Sequence, residues 1–137
     1  KLCHMDSYFS ISDANRVLPV VIKKFNYAKK MKSEVMKIEQ QLASDITMTS
    51  TLEQYCSIKR KLNSTVTKFY QSLEDLENTG VVLKELDEGL LDFPAKRFDE
   101  EIWLCWKEGE TEIKFWHEKN SGFKGRKPIS VSNESLV

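Results

Sequence analysis

The residues most able to do chemistry lie in the last third of the chain, where His117 is followed by Glu118 and preceded by Asp87 and Asp92. An imidazole among carboxylates can ligate a divalent metal or pass a proton near neutral pH. His117, Asp92 and Glu118 are therefore the candidate metal ligands. Geometry limits one of them. Neighbouring residues of a strand point to opposite faces, so His117 and Glu118 share an ion only where the strand has ended. The competing reading is structural: His117 closes an apolar strand face after Phe115 and hydrogen-bonds a carboxylate such as Asp92.

Arg126 stands in Gly122-Phe123-Lys124-Gly125-Arg126-Lys127-Pro128. There two glycines could expose backbone amides, and three cations could gather a small anion such as a phosphate or a carboxylate. Alternatively the glycines make turns and Arg126 pairs with an acid of its own domain. The spacing is also that of an RNA-clamping Gly-x-x-Gly loop, but that loop joins helices and this one follows a strand. All three tryptophans, Trp103, Trp106 and Trp116, fall in the same region. They read as core or subunit contacts, or, if Trp103 and Trp116 stay exposed, as a stacking platform for a flat ligand. No GxSxG, P-loop, HExxH or dinucleotide motif occurs.

The elements that must position these residues begin with a long helix. Ser12 or Asp13 is a candidate cap, and Ala14, Val17, Leu18, Val21, Ile22, Phe25, Ala28, Val35, Ile38, Leu42 and Ile46 step by three and four, which lays one apolar stripe along a helix. Pro19 removes a backbone donor inside that pattern and predicts a kink. Thr47 to Thr51 interrupts it, with Ser50 or Thr51 as the next cap. A second stripe, Leu52, Tyr55, Ile58, Leu62, Val66, Phe69, Leu73 and Leu76, runs to about Asn78, and Gly80 stands just past its end. Two such helices joined by a short loop form an antiparallel hairpin. At 1.5 Å per residue they would extend about 50 Å and about 40 Å. The residues from Val81 onward are too few to cover that length, so the exposed stripe is expected to meet a second copy, giving a homodimer with a four-helix bundle or coiled-coil core.

After Gly80 the period becomes extended. Val81 to Leu86 reads as a strand and Asp87-Glu88-Gly89 as its turn, while Phe93-Pro94 blocks helix. Ile102 to Lys107 and Thr111 to His117 read as a hairpin about Glu108-Gly109. A two-residue loop there sets Trp106 opposite Thr111, Leu104 opposite Ile113 and Ile102 opposite Phe115. The other face then carries Trp103, Cys105, Trp116 and Glu118, with Trp103 and Trp116 as diagonal neighbours. The fold class that follows is α+β, a long helical hairpin (about 12–79) followed by a small antiparallel sheet (about 81–118) and a basic loop (119–129), all in one domain over 5–129.

Composition supplies the outer bounds. In 137 residues, 40% are hydrophobic and 31% charged, with Lys plus Arg equal to Asp plus Glu at 21 each. No global field draws such a chain onto nucleic acid or an anionic membrane. No apolar run approaches the roughly 18 residues of a membrane span, and no secretory signal is visible, so the expected location is cytoplasmic. Lys1 to His4 precede Met5, the expected start if an expression vector supplied the leading residues, and are set aside, and 130–137 is read as a loose tail. Cys56 and Cys105 are far apart and lack CxxC or zinc-finger spacing, so both are expected to be reduced.

The motifs taken in order resemble a known family over about residues 8 to 129. They are Phe9-x-Ile11-x-x-Ala14-Asn15-x-x-Leu18-Pro19, Leu86-Asp87-x-Gly89-Leu90-x-Asp92-Phe93-Pro94, Leu104-Cys105-Trp106-x-x-Gly109-Glu110, Trp116-His117-Glu118, and Gly122-Phe123-x-Gly125-Arg126-x-Pro128-Ile129. That family is an uncharacterised prokaryotic one, domain of unknown function 2203. Its pattern often has a basic residue where this chain has Glu88. The resemblance implies no activity. The residues themselves support a non-enzymatic, homo-oligomeric interaction module, whose surface of His117, Asp92, Glu118, Arg126 and Trp116 binds a protein partner or a small anionic ligand. The alternative is a metal-binding protein or metal-dependent enzyme using His117 and nearby carboxylates, with a divalent metal as cofactor.

Overall fold

The computed structural model describes residues 7–46 and 51–129. Lys1 to His4, the cap candidate Ser50 and the tail 130–137 lie outside the described residues. Two helices, α1 (Ile11–Ile46) and α2 (Leu52–Glu77), stand in hairpin order ahead of a five-stranded antiparallel sheet, so the molecule is α+β. The chain divides into two compact units. One runs from Lys24 to Asp75; the other joins the residues up to Lys23 with those from Leu76 onward.

α1 starts two residues earlier than the first of its sequence cap candidates suggests. The hydroxyl of Ser10, rather than that of Ser12 or the carboxylate of Asp13, accepts the amide of Asp13 at 2.9 Å. This satisfies one of the free donors of the first turn. The helix is continuous through Pro19, which sits on the exposed side. At α2 the capping is reciprocal: Thr51 Oγ1 accepts the Gln54 amide at 3.1 Å and Gln54 Oε1 accepts the Thr51 amide at 2.9 Å. α2 ends where Gly80 takes φ +103°, a conformation costly to any residue with a Cβ. Within the Lys24 to Asp75 unit the helices bury Phe25, Ala28, Met31, Ile38 and Leu62. Val35, Leu42, Tyr55, Ile58, Val66 and Phe69 on the same stripes are only half-buried.

The sheet is a meander in the order β1 (Val82–Glu85), β2 (Leu90–Arg97), β3 (Glu100–Lys107), β4 (Phe115–Glu118) and β5 (Lys127–Pro128). β2 was not legible as a strand because it contains Pro94. In this place the proline costs no ladder bond to β3. Its carbonyl accepts the Phe9 amide at 2.7 Å, and a residue's N and O leave a strand on the same side, so the missing N–H also points away from β3. The turn between β2 and β3 is hidden for a similar reason. Phe98 and Asp99 take φ +52° and +66° without a glycine or asparagine between them to signal it. Leu91, Phe93, Ala95, Ile102, Leu104, Trp106 and Trp116 build the buried face, and Phe9 meets Phe93 edge to face at 5.2 Å.

The β3–β4 register differs from the one the sequence suggested. Ile102 pairs with Glu118, Trp103 with His117, Leu104 with Trp116 and Cys105 with Phe115. Ile102 therefore meets a residue three places beyond Phe115. Because three is odd, every side chain of β4 changes face relative to the expectation. The cause lies between the strands, where Glu108 to Lys114 forms a wide connection instead of a two-residue turn. Side chains hold it. Glu110 Oε1 accepts the Lys107 amide at 2.8 Å, the Glu110 carbonyl accepts Trp106 Nε1 at 2.9 Å, and Asn15 Oδ1 accepts the Ile113 amide at 2.7 Å. These bonds satisfy groups that a tight hairpin would have paired in the ladder.

Candidate metal centre

The corrected register assembles three side chains from three adjacent strands. Asp92 on β2 lies directly opposite Cys105 on β3. His117, paired with Trp103, is the diagonal neighbour of Cys105 on β4. All three point to the same side of the sheet, opposite the apolar core face, yet each is only 2–3% exposed. Their potential ligand atoms, a carboxylate oxygen, Sγ and an imidazole nitrogen, lie within 4.8 Å of one another. Cys105 was missed in the sequence because the signal is spatial. It needs the β2–β3 pairing before Asp92 and Cys105 are neighbours.

The orientation of His117 is set by its two hydrogen-bonding contacts. Nδ1 lies 3.0 Å from the Glu118 carbonyl, which can only accept, so Nδ1 carries a proton. Nε2 lies 3.0 Å from Asp92 Oδ2. In the neutral ring Nε2 is then a bare lone pair aimed at an oxygen lone pair, so a proton or a metal cation must stand between them. A ring nitrogen held by a carbonyl while the other is presented to the site is the arrangement by which proteins orient a metal-ligating histidine.

Burial sets the electrostatics. It raises the Asp92 carboxyl above the ordinary range, while His117, Lys84 and the Cys105 thiol draw it back down. Burial, and then the Asp92 charge, push the Cys105 thiol up to about 12, against a smaller opposing pull from Arg126. Without a cation the cluster therefore holds a neutral thiol. A bound metal would reverse this, since a coordinating thiol is deprotonated outright.

The other sequence candidates stand elsewhere. The Glu118 carboxylate is exposed and lies 3.4 Å from Lys127 Nζ, so only its main-chain carbonyl serves His117. Trp116 pairs with Leu104 on the apolar face, the other face of the sheet from Trp103, and is 5% exposed. Its indole N–H has no acceptor among the described residues. With Arg97, Ile102 and Lys119 it lines a cleft of about 350 Å³ on that face. Arg126 pairs with Glu110 at 2.8 Å, donates to the Cys105 carbonyl at 3.2 Å and stacks 4.0 Å from the Phe115 ring. Gly125 spends its amide on the Gly122 carbonyl. His117, Asp92, Glu118, Arg126 and Trp116 therefore do not form a single exposed surface.

The fold and site define a class: an α+β protein with a helical hairpin and an antiparallel sheet that buries a carboxylate, a thiol and an imidazole together. Residues 7–129 match the family described as uncharacterized conserved protein, DUF2203, and the chain belongs to that family. Neither the curated proteins nor the solved structures yield a match. Among the described residues no helix is long and apolar enough to cross a membrane.

Proposed function

We propose that the protein is a metal-binding protein whose ligands are Asp92, Cys105 and His117. The observation that carries this reading is the convergence of three ligand atoms within 4.8 Å, with His117 Nε2 presented by a carbonyl bonded to Nδ1. A thiolate, an imidazole and a carboxylate together favour zinc, cobalt or ferrous iron over magnesium or calcium, which take oxygen donors. Three protein ligands also leave a tetrahedral ion one further position. The metal would fold into the stability of the sheet, since it binds only where the three strands are paired.

The test is metal content after purification without chelator, followed by cobalt substitution. About one equivalent of metal, a sulfur-to-cobalt charge-transfer band, and loss of that band in Cys105→Ser support the reading. Saturating metal at about a hundred times its Kd would add ~2.7 kcal/mol to unfolding. Metal-free protein whose melting is indifferent to added zinc and cobalt would sink it.

A second reading concerns the hairpin, where Val35, Leu42, Tyr55, Ile58, Val66 and Phe69 of the apolar stripes are only half-buried. We propose that a second copy covers these stripes, making a homodimer. Light scattering at micromolar concentration measures this directly, and a monomer there contradicts it.

A further inference from the structure

One cation already lies beside the cluster. Lys84 Nζ is 3.8 Å from Asp92 Oδ2 and 4.3 Å from the centroid of the Trp103 ring. The lysine comes from the edge strand β1, at an irregularity in the ladder. Leu83 pairs with Leu91 and Glu85 with Leu90, so Lys84 is the extra residue of a β-bulge. A bulge re-aims a side chain and leaves its residue outside the regular ladder. The Lys84 side chain remains 41% exposed, whereas Asp92 is 4% exposed. Its ammonium thus has a short path to water, and the carboxylate has none.

Resting on the metal-binding reading, we infer that Lys84 is an exchangeable counter-ion for the site, held by Asp92 and the face of Trp103 when metal is absent and expelled to solvent when a divalent cation binds. The reason is charge. Asp92 cannot keep an ammonium within 4 Å while its oxygens coordinate a doubly charged ion, because the two cations repel in a poorly screened environment. Trp103 supplies the second half of the lysine's seat through its π face. Loading the site therefore frees Lys84 from one side of the Trp103 ring, which keeps its contacts with Lys119, and occupancy becomes visible at the surface.

Zinc titrations of wild type, Lys84→Met and Lys84→Arg, read by competition with a chromophoric chelator, test this. Removing the competing charge in Lys84→Met should tighten zinc binding by at least about tenfold, while Lys84→Arg stays near wild type. In the wild type the Lys84 ε-methylene protons, shifted upfield by the Trp103 ring in the metal-free protein, should move to ordinary positions at saturation. Unchanged or weaker zinc affinity in Lys84→Met, or an upfield shift that persists in the loaded protein, overturns the exchange alone. A wild-type protein that takes up no zinc overturns the metal reading as well, so the two failures are distinguishable.

Discussion

Among the described residues between Lys24 and Asp75 the buried side chains are apolar except for Ser72, whereas the sheet unit buries Asp92 and His117 in contact with each other. The difference follows from how each unit is built. In the hairpin, residues that share a face are three or four positions apart, and the helix backbone satisfies its own polar groups. In the sheet, Asp92 and His117 are 25 residues apart and meet only through the strand between them. Chemistry that needs several unlike side chains at one point is more readily assembled by long-range pairing, which sets side by side residues that no helical repeat would align. The hairpin offers area; the sheet offers convergence.

The sharpest way to break this comparison is through the two described cysteines. With chelator present at about pH 8, Cys105 should alkylate roughly a thousandfold more slowly than an ordinary thiol, because its thiol is pushed from 9.0 up to about 12. Half-buried Cys56 on α2 should label readily. Peptide-resolved mass spectrometry separates the two, and equal rates would mean that Cys105 is not sealed against the sheet.

A smaller but still large contrast lies in packing. Phe93→Ala empties a fully buried position on β2 and should cost about 3–5 kcal/mol in urea unfolding. Ile58→Ala on the half-buried stripe of α2 should cost about 1 kcal/mol in a monomer, since little area is lost. A cost for Ile58 that approaches that of Phe93 would sharpen the comparison in another direction. It would show that the hairpin face is covered, as the second copy proposed above would cover it.

The gentlest effect is in pH. Because burial raises the Asp92 carboxyl, the folded chain holds that proton more tightly than the unfolded chain. This contribution to stability is complete below the ordinary carboxylate value and is lost as pH rises through the folded value. In chelator-treated protein, Asp92→Asn should flatten that decline in a series of urea midpoints across pH. A slope unaltered by the substitution would assign the titration to another group.

Much of the architecture was legible because its causes are local. The stripes of α1 and α2, the capping role of Thr51, the stop at Gly80 and the turn at Gly89 each follow from a few adjacent residues. At Gly89 a Cβ would also lie 2.4 Å from that of Glu108, so the turn tolerates nothing larger. The site was only partly legible. His117 and Asp92 could be named from their types, but Cys105 and Lys84 could not. Their membership depends on a strand that contains a proline, a turn at Phe98-Asp99 that lacks the usual glycine, and a bulge.

The sequence by itself thus determined the helices, the change to extended structure after Gly80 and the family, all properties of short windows or of motifs in order. Only the tertiary structure decided which face of the sheet His117 occupies. That choice turned on Glu110, Asn15 and Trp106 satisfying the connection between β3 and β4, which displaced the register by an odd number of residues. Side chains alternate along a strand, so an odd displacement exchanges the two faces, and with them the difference between a histidine closing the core and one held against Asp92 and Cys105.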